Sequence, residues 1–139
     1  MNLLSIYKTS IRWTDLDAYG HLNNSVFFNF MTEARAELFR NLLNKENFCQ
    51  FVTVHVECDY KIPCFYPEEL ILKQYCESVG NSTFALKYEF YSESKKDMLY
   101  AQGKAKMVAY DPVAKRPTRI PKEIIQLLKV EEAEIEAKN

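Results

Sequence analysis

Residues 12–24 read Arg-Trp-Thr-Asp-Leu-Asp-Ala-Tyr-Gly-His-Leu-Asn-Asn, and the rest of the chain is organised around this segment. It brings two carboxylates, one of the two histidines, a glycine and two asparagines into one turn. The pattern predicts a strand that ends near Thr14, a polar loop, and a helix that opens near Asn24. Asn23 or Asn24 can cap this helix, because an asparagine side-chain oxygen accepts a hydrogen bond from an unpaired N–H of the first turn.

The loop contains groups that a catalytic site needs. Gly20 lets the chain bend, or another group approach, where a Cβ would be in the way. Asp17 and His21 then lie within a few residues of the N–H groups that open the helix, and this combination suits a catalytic site. A capped helix preceded by a polar turn explains the same residues, since Asp, Asn and Gly are common in tight loops. The loop alone leaves both interpretations open.

A longer motif adds a resemblance to a known family. It runs Asp-x-Asp-x-x-Gly-His-x-Asn-Asn from Asp15 to Asn24 and is followed by Phe27, Phe28 and Glu33-Ala34-Arg35. This pattern resembles the signature of hotdog-fold thioesterases, in particular the 4-hydroxybenzoyl-CoA thioesterase-like group and the fatty acyl-ACP thioesterases. The resemblance implies that Asp17, the second Asp of the motif, is the catalytic carboxylate. The His-x-Asn-Asn form is closer to the acyl-ACP variant, which implies a catalytic role for His21.

Three other residues bear on this interpretation. Tyr19 stands where the acyl-ACP family has a polar Asn, and this departure suggests a simpler site centred on the Asp. Glu57 belongs to a Glu-Cys pair that resembles one supplying a catalytic carboxylate in acyl-ACP thioesterases, although an exposed strand glutamate explains it as well. Glu33 competes with both, since another hotdog branch uses a Glu inside the central helix; a structural ion pair with Arg35 is its alternative.

Composition limits the classes to which the protein can belong. With 139 residues we expect one domain over 1–139 that buries a core without disulfides or metals. The net charge of −1 gives no basic field for nucleic acid. No apolar run approaches the roughly 20 residues of a membrane span, and Met1 to Ile11 lacks the order of a signal peptide. We therefore predict a cytoplasmic protein.

The cysteines and histidines do not indicate a metal centre. Cys49, Cys58, Cys64 and Cys76 contain no Cys-x-x-Cys pair, and we predict that all four are reduced and mostly buried. His55-Val56-Glu57 followed by Pro63-Cys64 imitates half of a zinc deaminase signature, but Pro67 stands where the second cysteine would be. We predict no metal and no cofactor.

Hydrophobic periodicity predicts the remaining elements. Apolar residues at Phe27, Met31, Ala34, Leu38 and Leu42 indicate a helix of about twenty residues that fades around Asn44 to Asn47. The predicted strands are Leu4 to Thr14, Phe51 to Ile62, Leu70 to Val79, Thr83 to Ser92 and Met98 to Tyr110.

In the second strand, alternation places Val52, Val54, Val56, Cys58, Tyr60 and Ile62 on one face and Thr53, His55, Glu57, Asp59 and Lys61 on the other. The fifth strand has a small face at Ala101, Gly103, Ala105 and Ala109, and a second helix follows Pro121 over Lys122 to Lys138.

This order of elements predicts an α+β fold with one long helix on an antiparallel five-stranded sheet and a C-terminal helix. The resemblance implies that the sheet wraps around the helix, which is the hotdog fold. It also implies a homodimer or homotetramer whose subunits join their sheets edge to edge and form each active site at the interface. The polar face of the second strand fits such an interface better than a monomer core.

The function implied by the resemblance is hydrolysis of an acyl-CoA or acyl-ACP thioester. Asp17 can act as nucleophile or as general base. Backbone N–H groups around Asn23 and Asn24 can polarise the thioester carbonyl, with Gly20 allowing close approach. Two alternatives stay open: a hotdog dehydratase or hydratase using His21 or His55 as its base, and a non-catalytic module that binds acyl-CoA.

Overall fold

The computed structural model describes residues 1–43 and 49–129, except the side chains of residues 41–43. The elements are β1 (Asn2–Ser10), α1 (Asn24–Leu43), β2 (Gln50–Tyr60), β3 (Glu69–Val79), β4 (Thr83–Ser92), β5 (Leu99–Asp111), β6 (Arg116–Pro117) and α2 (Lys122–Leu128). The longer strands form an antiparallel sheet in the order β1-β3-β4-β5-β2, and the two-residue β6 pairs with β5. The predicted α+β fold is confirmed.

Small residues on β5 let α1 lie close to the sheet. The predicted small face of this strand is buried along its whole length. A Cβ added to Gly103 would come within 2.4 Å of the Met31 sulfur on α1. Edge-on aromatic contacts, such as Phe27 on Phe90, fill the space on either side of this close approach. The helix and the sheet therefore share one core, and the start of α1 is held near the end of β2.

β2 departs from the predicted alternation. The register shifts between Thr53, which pairs with Met107, and His55, which pairs with Lys106. Such a bulge adds one residue to a strand and reverses which face the following side chains occupy. Thr53 consequently shares the helix-facing side with Tyr60, whereas Glu57 points to the outer face. The uninterrupted alternation predicted for this strand is therefore wrong.

Two predicted boundaries also differ from the structure. β1 ends at Ser10 instead of Thr14, because residues 13–15 form a 3-10 turn that the Asp15 carboxylate closes on the Arg12 N–H. α2 begins at Lys122 as predicted but ends at Leu128, with Lys129 as its C-cap, so the uninterrupted helix predicted to Lys138 is wrong at this point. Residues 130–138 and the predicted fading of α1 around residues 44–47 lie outside the described residues. All four cysteines are free thiols, two buried and two half-buried, as predicted. No helix in the described ranges is long and apolar enough to span a membrane.

Candidate active site

Asp15 holds the loop together at its base. Its carboxylate is 4% exposed and accepts hydrogen bonds from the Arg12 backbone N–H at 2.8 Å and from the Arg12 guanidinium at 2.9 Å. Its backbone carbonyl accepts the Asn23 N–H at 2.9 Å. Burial alone would raise the pKa of Asp15, but the hydrogen bonds and charge of Arg12 outweigh it and hold this pKa below its usual value. Asp15 therefore joins the two ends of the loop.

Asp17 lies at the start of a tight turn that is closed by its own hydrogen bonds. Its Oδ1 accepts the backbone N–H groups of Tyr19 at 2.9 Å and His21 at 3.1 Å. The Asp17 N–H donates to the His21 carbonyl at 2.8 Å, and its own carbonyl accepts the Gly20 N–H at 3.1 Å. Gly20 has a φ of 82°, in the region that favours glycine. The turn therefore fixes the half-buried Asp17 carboxylate through Oδ1, and the hydrogen bonds from Tyr19 and His21 do not use Oδ2.

His21 is held by the segment that follows β2. It forms an isolated antiparallel bridge with Phe65, and the Leu22 N–H donates to the Cys64 carbonyl at 2.7 Å. The imidazole meets the Phe65 ring edge-on, with ring centroids 4.8 Å apart. The hydrogen bond between His21 and the Asp17 carboxylate comes from the His21 backbone and not from its ring. His21 therefore lies beside Asp17 as predicted, but its imidazole is packed on an aromatic ring.

Asn23 is the residue that caps α1. Its Oδ1 accepts the Ser25 N–H at 3.1 Å, and its carbonyl accepts the Val26 N–H at 3.0 Å. The predicted capping is confirmed, and the structure chooses between the two asparagines. The Asn23 N–H already bonds to Asp15, so it is not available to a substrate. Of the two N–H groups predicted to face a substrate, the geometry favours that of Asn24.

One cavity joins these groups. It has a volume of about 230 Å³ and is lined by Asp17, His21, Leu22, Asn24, Phe27, Tyr60, Lys61, Ile62, Pro63 and Cys64. Its lining combines a carboxylate, an imidazole and the first residue of a helix with mostly apolar walls, which is the usual make-up of a small-molecule site. A larger cavity of about 690 Å³ lies at the β1 edge and is lined mainly by lysines, tyrosines and isoleucines. It contains none of the predicted site residues.

Glu57 does not reach the cavity that Asp17 lines. It lies exposed on the outer face of the sheet, opposite Lys104 in the register of β2 and β5. The Glu57 carboxylate is 3.3 Å from the His55 Nε2, and both residues line a different, outer-face cavity. Their position reflects the β-bulge, which turns this part of β2 away from Asp17.

Glu33 is also separate from the cavity. Its carboxylate accepts a hydrogen bond from the Tyr7 hydroxyl at 2.5 Å, at the β1 side of α1. This hydrogen bond, followed by burial, raises the pKa of Tyr7 to about 12. Arg35 is buried and donates to Thr32 and Tyr88 instead. Among the described residues Glu33 and Arg35 form no ion pair with each other, so this alternative explanation of Glu33 is wrong.

Tyr60 is a site residue that sequence reasoning missed. It was grouped with the apolar residues of β2, yet it lines the cavity and its hydroxyl donates to the Asn24 carbonyl at 3.1 Å. The available signal is chemical: Tyr60 carries the one side-chain hydroxyl on the predicted apolar face of β2, and a tyrosine there combines an apolar ring with a polar tip that can bond to a partner. The identity of that partner depends on the fold.

The chain is similar to several known proteins. A family model described as the thioesterase-like superfamily matches residues 11–128. A protein of Aquifex aeolicus (strain VF5) that carries the provisional name esterase is 27% identical over 131 residues, which cover 89% of this chain and 97% of the relative. A 1,4-dihydroxy-2-naphthoyl-CoA hydrolase of Gloeothece citriformis (strain PCC 7424) is 24% identical over 131 residues, covering 90% of this chain and 92% of the relative.

A solved structure shows the same architecture. A provisionally named thioesterase from Pseudomonas aeruginosa superimposes with a TM-score of 0.83 at 26% identity, covering 90% of this chain and 98% of that one. The hotdog fold implied by the sequence motif is confirmed by this likeness.

Proposed function

The chain belongs to the thioesterase-like superfamily, and we propose that it hydrolyses an acyl thioester to a free acid and a thiol, with Asp17 at the chemical centre. The observation that carries this proposal is the placement of the Asp17 carboxylate and the start of α1 in one cavity. Thioester hydrolysis needs both a base or nucleophile and a donor for the carbonyl oxygen. The name of the relative from Gloeothece citriformis, a 1,4-dihydroxy-2-naphthoyl-CoA hydrolase, supports CoA as the carrier; acyl-ACP is the second candidate.

Asp17 can act in two ways. As a general base it accepts a proton from water while the water oxygen bonds to the thioester carbon; the tetrahedral intermediate then breaks its C–S bond, and the proton passes to the departing thiolate. As a nucleophile it forms an anhydride and expels the thiolate, which takes a proton from solvent, and water then cleaves the anhydride. Both routes require a charged carboxylate with one oxygen directed at the substrate. The two hydrogen bonds to Oδ1 fix the side chain and leave Oδ2 for this contact.

Asn24 supplies the donor for the carbonyl oxygen in this proposal. Its N–H is the first of α1, where the helix dipole adds partial positive charge. Negative charge grows on the thioester oxygen in the transition state, so a fixed donor at that point favours the transition state over the ground state. His21 lines the same cavity and assists in positioning or proton transfer.

We also propose that the active form is a homodimer formed through β2, with a tetramer as a further assembly. β2 is an edge strand of 11 residues. Its valines are unusually exposed, at 40% for Val52, 54% for Val54 and 39% for Val56. A long apolar edge with unpaired backbone groups invites pairing with another strand. Sedimentation at micromolar concentration tests this assembly, and a stable, fully active monomer would contradict it.

Thiol release tests the proposed reaction. A thiol-reactive dye should report turnover with CoA thioesters that range from short aliphatic to aryl acyl groups, and parallel assays use acyl-ACP. The Asp17→Asn variant is the matched control, because its side chain keeps its volume but loses its charge. Hydration of an enoyl thioester without thiol release would favour a dehydratase. Binding of labelled acyl-CoA without turnover across the whole series would favour a non-catalytic module.

A further inference from the structure

We propose that Tyr60 is a positioning residue for this site, because its hydroxyl holds the first turn of α1 against the end of β2. The hydrogen bond sets where the Asn24 N–H lies relative to the Asp17 carboxylate. This inference rests on the proposed thioester hydrolysis and assigns a role to a residue that performs no chemical step itself.

The contact connects two parts of the chain that are distant in sequence. Tyr60 is the last residue of β2 and pairs with Ala101, so its ring lies on the helix side of the sheet. Its hydroxyl reaches the Asn24 carbonyl, 36 residues away in sequence, at 3.1 Å. A carbonyl oxygen has two lone pairs, so Asn24 can accept this bond together with the helical bond from the Phe28 N–H.

Aromatic packing orients the hydroxyl. The Tyr60 ring meets Phe27 edge-on with centroids 5.2 Å apart, and Phe27 meets Phe90 in the same way at 5.1 Å. Phe27 is 3% exposed, whereas Tyr60 is 39% exposed and lines the cavity. One edge of the Tyr60 ring is thus held in the core. Burial, followed by the neighbouring Cys58, raises the pKa of Tyr60 to about 12, so the hydroxyl keeps its proton at neutral pH.

The rest of the site has its own supports. The turn from Asp17 to His21 is closed by its internal hydrogen bonds, and Asn23 is tied to Asp15. The contact from Tyr60 is a direct side-chain link between the sheet and Asn24. Catalytic donors lose much of their effect when they move by a fraction of an ångström. Loss of the link should therefore reduce the rate of the chemical step more than substrate binding.

The first test compares Tyr60→Phe with Tyr7→Phe. Each variant loses one hydroxyl hydrogen bond and keeps its ring, but Tyr7 bonds to Glu33 away from the cavity. We expect Tyr60→Phe to lower kcat by about 3- to 10-fold, the size of one neutral hydrogen bond, while KM stays within about 2-fold because the ring still lines the cavity. Tyr7→Phe should keep wild-type kcat and KM. An unchanged kcat in Tyr60→Phe would overturn the proposal, and so would a rise in KM at constant kcat.

The second test does not depend on turnover. Amide hydrogen exchange measured by NMR should be faster for the Phe28 N–H in Tyr60→Phe than in wild type and Tyr7→Phe, because the first turn of α1 opens more often once its contact with β2 is lost. Unchanged exchange would show that Tyr60 does not hold the helix start, and the inference would fail. Faster exchange in a protein whose wild type hydrolyses no thioester would support the anchoring contact and reject the proposed function instead.

Discussion

Asp15 and Asp17 are the same amino acid two positions apart, yet the fold places them under opposite conditions. Asp15 is buried, and its carboxylate is engaged by the backbone and side chain of Arg12. Asp17 is half-buried, is held through one oxygen by its own turn, and lines the cavity. A buried carboxylate that is neutralised by a neighbouring guanidinium is a poor base, whereas a fixed and accessible one suits a reaction. Within the motif, Asp15 thus stabilises the loop, whereas Asp17 is placed where a catalytic carboxylate could act.

Asp17→Asn should produce the largest effect on activity. The amide oxygen can still accept both N–H groups of the turn, so we expect an unchanged melting temperature. Because the amide can neither attack nor accept a proton at neutral pH, kcat should fall by about 10² or more. If the variant keeps more than about a tenth of the wild-type rate, Asp17 is not the chemical centre. The assignment of a structural role to Asp15 and a catalytic role to Asp17 would then be wrong.

His21→Ala should have a smaller effect than Asp17→Asn. A residue that positions groups or assists proton transfer contributes less than the group that makes the bond, and we expect a loss of about 10-fold in kcat. The ring also packs on Phe65, so the melting temperature of each variant is the necessary control. Equal losses of activity in the two variants would instead point to a coupled pair in which His21 is a full partner.

Asp15→Asn should affect stability more than catalysis. Loss of the charged hydrogen bonds with Arg12 should cost about 1–3 kcal/mol in the free energy of unfolding at pH 7, while kcat falls at most a few-fold as long as the variant is folded. Because the pKa of Asp15 is lower in the folded state than its ordinary value of 3.8, its stabilisation is complete above that value and is lost as the pH falls through the folded pKa.

Unfolding by urea checks this pH dependence. The difference in stability between wild type and Asp15→Asn should narrow as the pH falls from about 5 toward 2. A difference that stays constant over this range would show that the ionic contact with Arg12 does not stabilise the loop.

Glu57→Gln should have the smallest effect. Glu57 lies on the outer face of the sheet, where its carboxylate is 3.3 Å from the His55 Nε2 and the residue is opposite Lys104 on β5. Exposed ion pairs contribute little to stability, and we expect kcat within about 2-fold of wild type. A 10-fold loss would mean that a second subunit brings Glu57 to the cavity of its partner, which would favour the role that the sequence motif implies for it.

The fold and the central part of the site were largely predictable from the sequence. The start of α1 at Asn24, its cap and the four strands after it follow from local periodicity and capping chemistry. The exceptions have non-local causes. The face on which Glu57 lies depends on a bulge that forms only when β2 pairs with β5, and the position of Tyr60 at the cavity depends on the packing of β2 against the start of α1.

The sequence by itself determined which chemical groups gather in the loop, because Asp17, Gly20 and His21 are neighbours along the chain and a turn is enough to unite them. Only the tertiary structure decided that Asp15 is buried while Asp17 lines a cavity, and which residue from β2 completes that cavity. The contact of Arg12 with Asp15 is local. The Tyr60 hydroxyl, by contrast, reaches from the end of β2 to the first residue of α1, 36 positions away in sequence. These choices follow from burial and strand register, which are properties of contacts between distant segments and leave no periodic pattern in the sequence.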